Sequence, residues 1–212
     1  GAGVDYDDPI QGYKHSMTHV AYGLGYIVTL EMYEDDQYNK INALPKALSR
    51  SGSYTVEITA ANILNNGFVT TYTTGGDALA LFSASHTRLD GSTTGCSNLG
   101  SGALSETTLE AMLLTFDKLV NDRGVPIAGM YIPKLLLIPP ELKKTAQRLL
   151  LSEKRPGTMN NDINALREDN LSFMVINHFT STTAWFCVAM NHDLRHLWRV
   201  NVEFESADDF IT

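Results

Sequence analysis

The stretch from Glu34 to Gly67 constrains this chain most, because an apolar stripe runs through it at helical spacing. Tyr38, Ile41, Leu44, Leu48, Thr55, Ile58, Ala61 and Leu64 follow one another at steps of three, four or seven, the intervals at which side chains share one face of an α-helix. Acids at Glu34, Asp35 and Asp36 suit a helix N-terminus, and Asn65-Asn66-Gly67 suits a C-terminal cap. The segment reads as one long helix of roughly 45 Å, at about 1.5 Å per residue. Pro45 lacks an amide hydrogen and crowds the preceding turn, so a kink or two abutting helices are expected there. Ser49 to Thr55, with Gly52 inside it, has poor helix propensity. Tertiary or intersubunit packing must hold a helix through such residues.

A chain of 212 residues, 43% hydrophobic and 19% charged, is long enough for one large domain or two small ones with a sizeable core. No run approaches the length of a membrane span, so no membrane partner is expected. Gly1-Ala2-Gly3 lacks the basic and apolar regions of a signal peptide, and the missing initiator Met reads as a processed chain or an excised fragment. The net charge of -8 argues against a protein whose main task is gripping nucleic-acid phosphates. Cys96 and Cys187 are too few for a disulfide framework or a four-cysteine zinc site, which fits a reducing compartment.

Taken in order, residues 1 to 23 read as an irregular arm, and Tyr26 to Tyr33 alternates with the period of a strand. After the long helix come a turn cluster at Thr70 to Gly76, a short apolar run at Ala78 to Phe82, and a Gly/Ser/Thr-rich loop at Asp90 to Gly102. That loop carries no phosphate-binding signature. A second helix is predicted from Ser105 to Asp122, with a capping box between Thr107 and Glu110, a buried face of Leu109, Leu113, Phe116 and Val120, and Gly124 as its stop. Lys134 to Ile138 is a continuous apolar run closed by Pro139-Pro140, hence a strand buried on both faces. Pro140 opens a third helix with Leu142, Ala146, Leu149 and Leu150 on its apolar side. A polar loop at Ser152 to Asn170 precedes strands at Phe173 to Ile176 and Trp185 to Val188. A last strand places His196, Trp198, Val200, Val202 and Phe204 on one face. The fold class is α+β.

No catalytic, cofactor or metal site stands out. Ser83 and Ser85 beside His86 lack a nucleophile elbow, although a small α+β hydrolase using Ser85 and His86 is the enzyme alternative. His15 and His19, and His192 and His196, are four apart, but neither pair sits on a predicted helix, so satisfied or exposed histidines are the simpler reading. The carboxylate runs Asp5-Asp7-Asp8, Glu34-Asp35-Asp36 and Asp208-Asp209 read as helix-dipole or solvated groups before a calcium site. Trp185 and Trp198 fall on apolar alternations and read as core or sheet-face residues. Two charged groups are candidate intersubunit contacts. One is Lys154 and Arg155 beside Pro156-Gly157 and the amides Asn160, Asn161 and Asn164; the other is Lys143, Lys144 and Arg148 on the polar side of the third helix.

From Pro133 to Leu166 the string PKLLLIPPELKKTAQRLLLSEKRPGTMNNDINAL resembles the axial-domain signature of tailed-bacteriophage major capsid proteins of the Mu-like head-subunit type, built on the Hong Kong 97 phage fold. EMYEDDQYNKINALPKALSRS, AANILNNGF, ALFSASH, LVNDRGVPI and TTAWFCV agree with it in order and spacing. The resemblance implies an end of the extended loop and a strand at 1–33. It also implies a peripheral-domain spine helix with its following turn at 34–77, an axial domain at 78–205, and the start of a return to the peripheral domain at 206–212. The N-terminal arm and the C-terminal strand of the family would lie outside this chain. By resemblance the protein is a structural virion shell subunit, assembled in the host cytoplasm around double-stranded DNA held without sequence specificity. Its partners would be copies of itself in hexamers and pentamers, with scaffolding, portal and decoration proteins. An encapsulin-like nanocompartment shell is the alternative within the same fold.

Overall fold

The computed structural model describes residues 11–71, 76–127, 129–155, 157 and 162–206. The chain divides into two compact units, Met17–Ala61 with Asp193–Thr212, and Gly1–Ser16 with Asn62–His192, each as far as its residues are described.

In the first unit, helix α1 spans Leu30–Glu34, where an alternating strand is expected from the sequence. The Thr29 hydroxyl accepts the Met32 amide at 3.3 Å, and the Tyr33 amide donates to the Thr29 carbonyl at 3.1 Å. A capped turn satisfies these groups locally, whereas a strand needs a neighbour. The long helix also starts later than its apolar stripe suggests. Asp36 accepts the Lys40 and Ile41 amides, both at 2.9 Å; these backbone bonds hold its carboxyl below 3.8, its ordinary value. Asn39 takes a left-handed φ of 52°, which no continuous helix passes through. A 3-10 turn at Ile41–Ala43 then leads into α2, Leu44–Asn65. With 22 residues, α2 is about 33 Å long rather than 45 Å. Pro45 is its second residue, where a missing amide hydrogen breaks no bond, so the expected kink is unnecessary.

The poor helix formers of α2 hold their hydroxyls against the helix itself. Thr55 Oγ1 donates to the Ser51 carbonyl at 3.0 Å and Thr59 Oγ1 to the Thr55 carbonyl at 2.7 Å, the back-bonding that lets such residues sit mid-helix. Residues 195–204, expected as a strand, form no strand among the described residues. Phe204 lines a shallow depression with Pro45, Lys46 and Ser49 instead. Trp198 stacks its ring 4.5 Å from that of His196 and remains half exposed, not core.

The second unit holds the main core. Helix α3, Glu106–Asp117, opens with a capping box of Ser105 and Thr108, not of Thr107 and Glu110. The Thr108 hydroxyl accepts the Ser105 amide at 2.9 Å and donates to the Ala103 carbonyl at 2.8 Å; those two bonds place the box two residues earlier. The helix also ends earlier, because Asn121 Oδ1 accepts the Arg123 and Val125 amides at 3.0 and 2.9 Å and folds 120–126 into a tight turn closed by a Val120–Pro126 bridge. Gly124, at φ 76°, serves that turn rather than the helix end.

Strand β1, Pro133–Ile138, lies at the centre of a three-stranded sheet, and Pro139 and Pro140 end it as expected. Helix α4, Lys143–Leu151, follows and returns the chain to β2, Ser172–Val175, which pairs parallel to β1 with Leu136 opposite Phe173. Strand β3, Phe186–Ala189, pairs antiparallel on the other side with Leu136 opposite Cys187. One face of β1 is fully buried through Leu136 and Ile138, while Leu135 and Leu137 on the other are half-buried. Leu109, Ala146, Leu149 and Leu150 pack with the buried face, and Trp185 joins them while its indole N–H donates to the Gly102 carbonyl at 3.2 Å. A second, aromatic cluster joins Phe68, Phe82, Phe179 and Phe186, with ring centroids 5.1 to 6.1 Å apart. Gly67 is required beside it, since a β-carbon there would come 2.6 Å from the Phe82 ring.

Candidate intersubunit surface

Helix α4 sorts its residues by burial. Ala146, Leu149 and Leu150 are buried, Lys144, Arg148 and Leu151 are exposed on the opposite arc, and Lys143 is exposed at the first residue on the Ala146 side. Lys144, Gln147, Arg148, Leu151 and Ser152 line one shallow depression. Within it Lys144 Nζ donates to Gln147 Oε1 at 3.3 Å and Arg148 Nε donates to the Lys144 carbonyl at 3.4 Å. None of the three cations of α4 meets a carboxylate among the described residues. Of the sequence-predicted cations, Lys144 and Arg148 therefore stand beside a leucine that is 62% exposed, and Lys143 lies outside that depression.

The other predicted group is differently placed. The Arg155 amide donates to the Asp162 carbonyl at 2.9 Å and the Asn164 amide to the Glu153 carbonyl at 3.2 Å, with Lys154 bridged to Ile163. Lys154 and Arg155 thus run antiparallel to Asp162, Ile163 and Asn164. Arg155 turns to α3, its Nε 2.8 and 2.9 Å from the two carboxylate oxygens of Glu106. That hydrogen bond and the charge of Glu106 raise the guanidinium further above its ordinary value. Asn160 and Asn161 lie outside the described residues. Asn164, read from sequence as an amide facing a neighbour, is instead 2% exposed. Its Nδ2 donates to the Leu149 and Ser152 carbonyls at 2.7 and 2.9 Å, closing the C-terminus of α4. Nothing in the polar run around it marks this one amide as internal.

The serine and histidine pattern does not assemble a nucleophile. His86 Nδ1 lies 2.6 Å from Asp77 Oδ2, and Nε2 lies 3.2 Å from the Leu81 carbonyl, so both ring nitrogens are engaged away from Ser83 and Ser85. Asn98 completes the loop, its Nδ2 donating to the same carbonyl at 2.7 Å and its Oδ1 accepting the Ser83 amide at 2.8 Å. Burial pushes the Asp77 carboxyl up, but the bond and charge of His86 and the Leu79 amide outweigh it and hold the group below 3.8. Cys187 is a thiol pushed up to about 12 by burial, far from a reactive thiolate. Among the described residues no three His, Cys, Asp or Glu side chains gather as metal ligands, and no helix is long and apolar enough to cross a membrane.

Among the described residues the chain is mixed α/β, with the cations of α4 and many large apolar side chains on open surface. Residues 14–211 match the family model described as phage capsid protein, and the chain belongs to that family. No curated protein and no solved structure matches it.

Proposed function

We propose that this protein is the major head subunit of a tailed phage, of the Mu-like type and the Hong Kong 97 fold, which builds an icosahedral shell around double-stranded DNA. The carrying observation, beside family membership, is the amount of large apolar side chain left in solvent along 17–33 and 194–204. Val20, Leu24, Ile27, Leu30, Leu197 and Val200 are all exposed, and a subunit that uses its surface many times over has a reason to keep them so. In this reading 34–77 supplies the peripheral spine and its following turn, and 78–205 the axial domain. Lys143, Lys144, Arg148, Lys154, Arg155, Asn160 and Asn161 face neighbours in hexamers and pentamers. Scaffolding, portal and decoration proteins meet the shell, the virion is its location, and host cytoplasm is where it assembles.

Expression of the full-length chain followed by light scattering and negative-stain microscopy tests the reading. Closed particles are expected, and a compact monomer at every ionic condition defeats it. Leu48→Asp, on the half-buried side of α2, is expected to abolish soluble particles by placing a charge where apolar packing is needed. Normal particle yield from that variant counts against α2 as the spine.

A further inference from the structure

The basic face of α4 has a chemically matched counterpart elsewhere in the chain. Lys144, Arg148 and Leu151 follow at steps of four and three, so they stand side by side on one stripe. On α1, Glu34 stands four residues after Leu30 and three after Glu31, so all three lie on one arc of its single turn, with the leucine 67% exposed. Neither carboxylate of α1 meets a cation among the described residues. Each surface is therefore one exposed leucine flanked by two unpaired charges, and the signs are opposite. We propose that the exposed face of α4 docks onto α1 of a second copy of this chain, with Lys144 and Arg148 meeting Glu31 and Glu34 around a contact between Leu151 and Leu30.

This inference rests on the shell reading and names one of its contacts. The two faces differ, so the contact is heterologous, and repeating it generates rings where the rotation closes, not isologous pairs. Nucleic acid is the poorer occupant: phosphate tracking calls for an extended basic stripe, whereas this face is centred on an apolar side chain in a chain with 24 acids against 16 Lys and Arg. Glu203 and Glu205 also flank an apolar residue, Phe204. Phe204, however, lines a depression with Pro45, Lys46 and Ser49 of its own chain, so it is not presented as Leu30 is.

The test uses the full chain and a sedimentation assay of the fraction of protein in particles, with thermal melts to show that each variant folds. Lys144→Glu with Arg148→Glu, and separately Glu31→Lys with Glu34→Lys, are each expected to lower that fraction about tenfold through like-charge opposition. Mixing the two variants is expected to restore particles containing both, because each then offers the charge the other lacks. Neutral Lys144→Gln with Arg148→Gln should give a smaller loss, and Glu203→Lys with Glu205→Lys none. Unchanged particle yield in either reversal, an equal loss at Glu203 and Glu205, or failure of the mixture to assemble overturns the contact while wild-type particles keep the shell reading intact. Normal assembly of the α4 reversal with loss of packaged DNA assigns the face to nucleic acid and overturns the proposal. A wild-type chain that forms no particles overturns both.

Discussion

Leu136 and Ile27 are aliphatic side chains of the same size with opposite surroundings: the first is fully buried at the centre of the sheet, the second 88% exposed. They stand for their units. Around β1 the apolar residues are covered by α3, α4 and the flanking strands, whereas 17–33 and 194–204 carry leucines, tyrosines and valines in the open. In the first region the hydrophobic effect has been spent on folding. In the second it remains available for association, which is what a capsid protein needs.

That contrast can be broken by measurement. Leu136→Ala should destabilise the folded chain by about 2–5 kcal/mol in denaturant melts, the range for emptying a packed leucine site, while Ile27→Ala should change stability by less than about 0.5 kcal/mol yet reduce particle yield. Equal stability losses from the two would erase the distinction. Next in size, Asn164→Ala should cost about 1–3 kcal/mol by stranding the Leu149 and Ser152 carbonyls; a neutral result shows that the α4 terminus does not depend on that amide. Ser105→Ala should then cost about 1 kcal/mol as a lost N-cap, and Thr107→Ala should leave the start of α3 as it was.

The smallest effect is a pH dependence at Asp77, whose side chain is 8% exposed. Its folded pKa is depressed, so its contribution is complete above the ordinary 3.8 and disappears as pH falls through the lower folded value. Melting temperature followed from pH 5 downward should fall more gently in Asp77→Asn than in wild type. Parallel acid profiles would remove the Asp77–His86 pair from the stability of this unit.

How much of this was legible in sequence varied with whether a segment closes on itself locally. β1 and α4 are legible as a strand and a helix because an apolar run bounded by Pro139-Pro140, then a stripe of buried alanine and leucines, admits few other structures, although β1 buries one face and only half-buries the other. The start of α2 did not, since the apolar period runs on through Tyr38 and Ile41 while Asn39 turns the backbone out of the helix. The alternations at 26–33 and 195–204 are patterns for a ladder, and a ladder is a property of two segments, of which sequence displays one at a time. At the candidate surface, the nearness of Lys144 and Arg148 follows from helical spacing, which sets Lys143 apart from them. The internal place of Asn164 and the Glu106 partner of Arg155 depend on contacts across the fold, which leave no local signature.

The end of α2 is fastened from far away. Asn65 donates through Nδ2 to the His178 carbonyl and accepts the Thr180 amide, bonds that span 113 and 115 positions. On the ribosome, the residue that clasps is made early and the residues it clasps arrive late. While the residues between them are made, that helix end waits unbuckled, a period in which its apolar neighbours are open to the wrong partner.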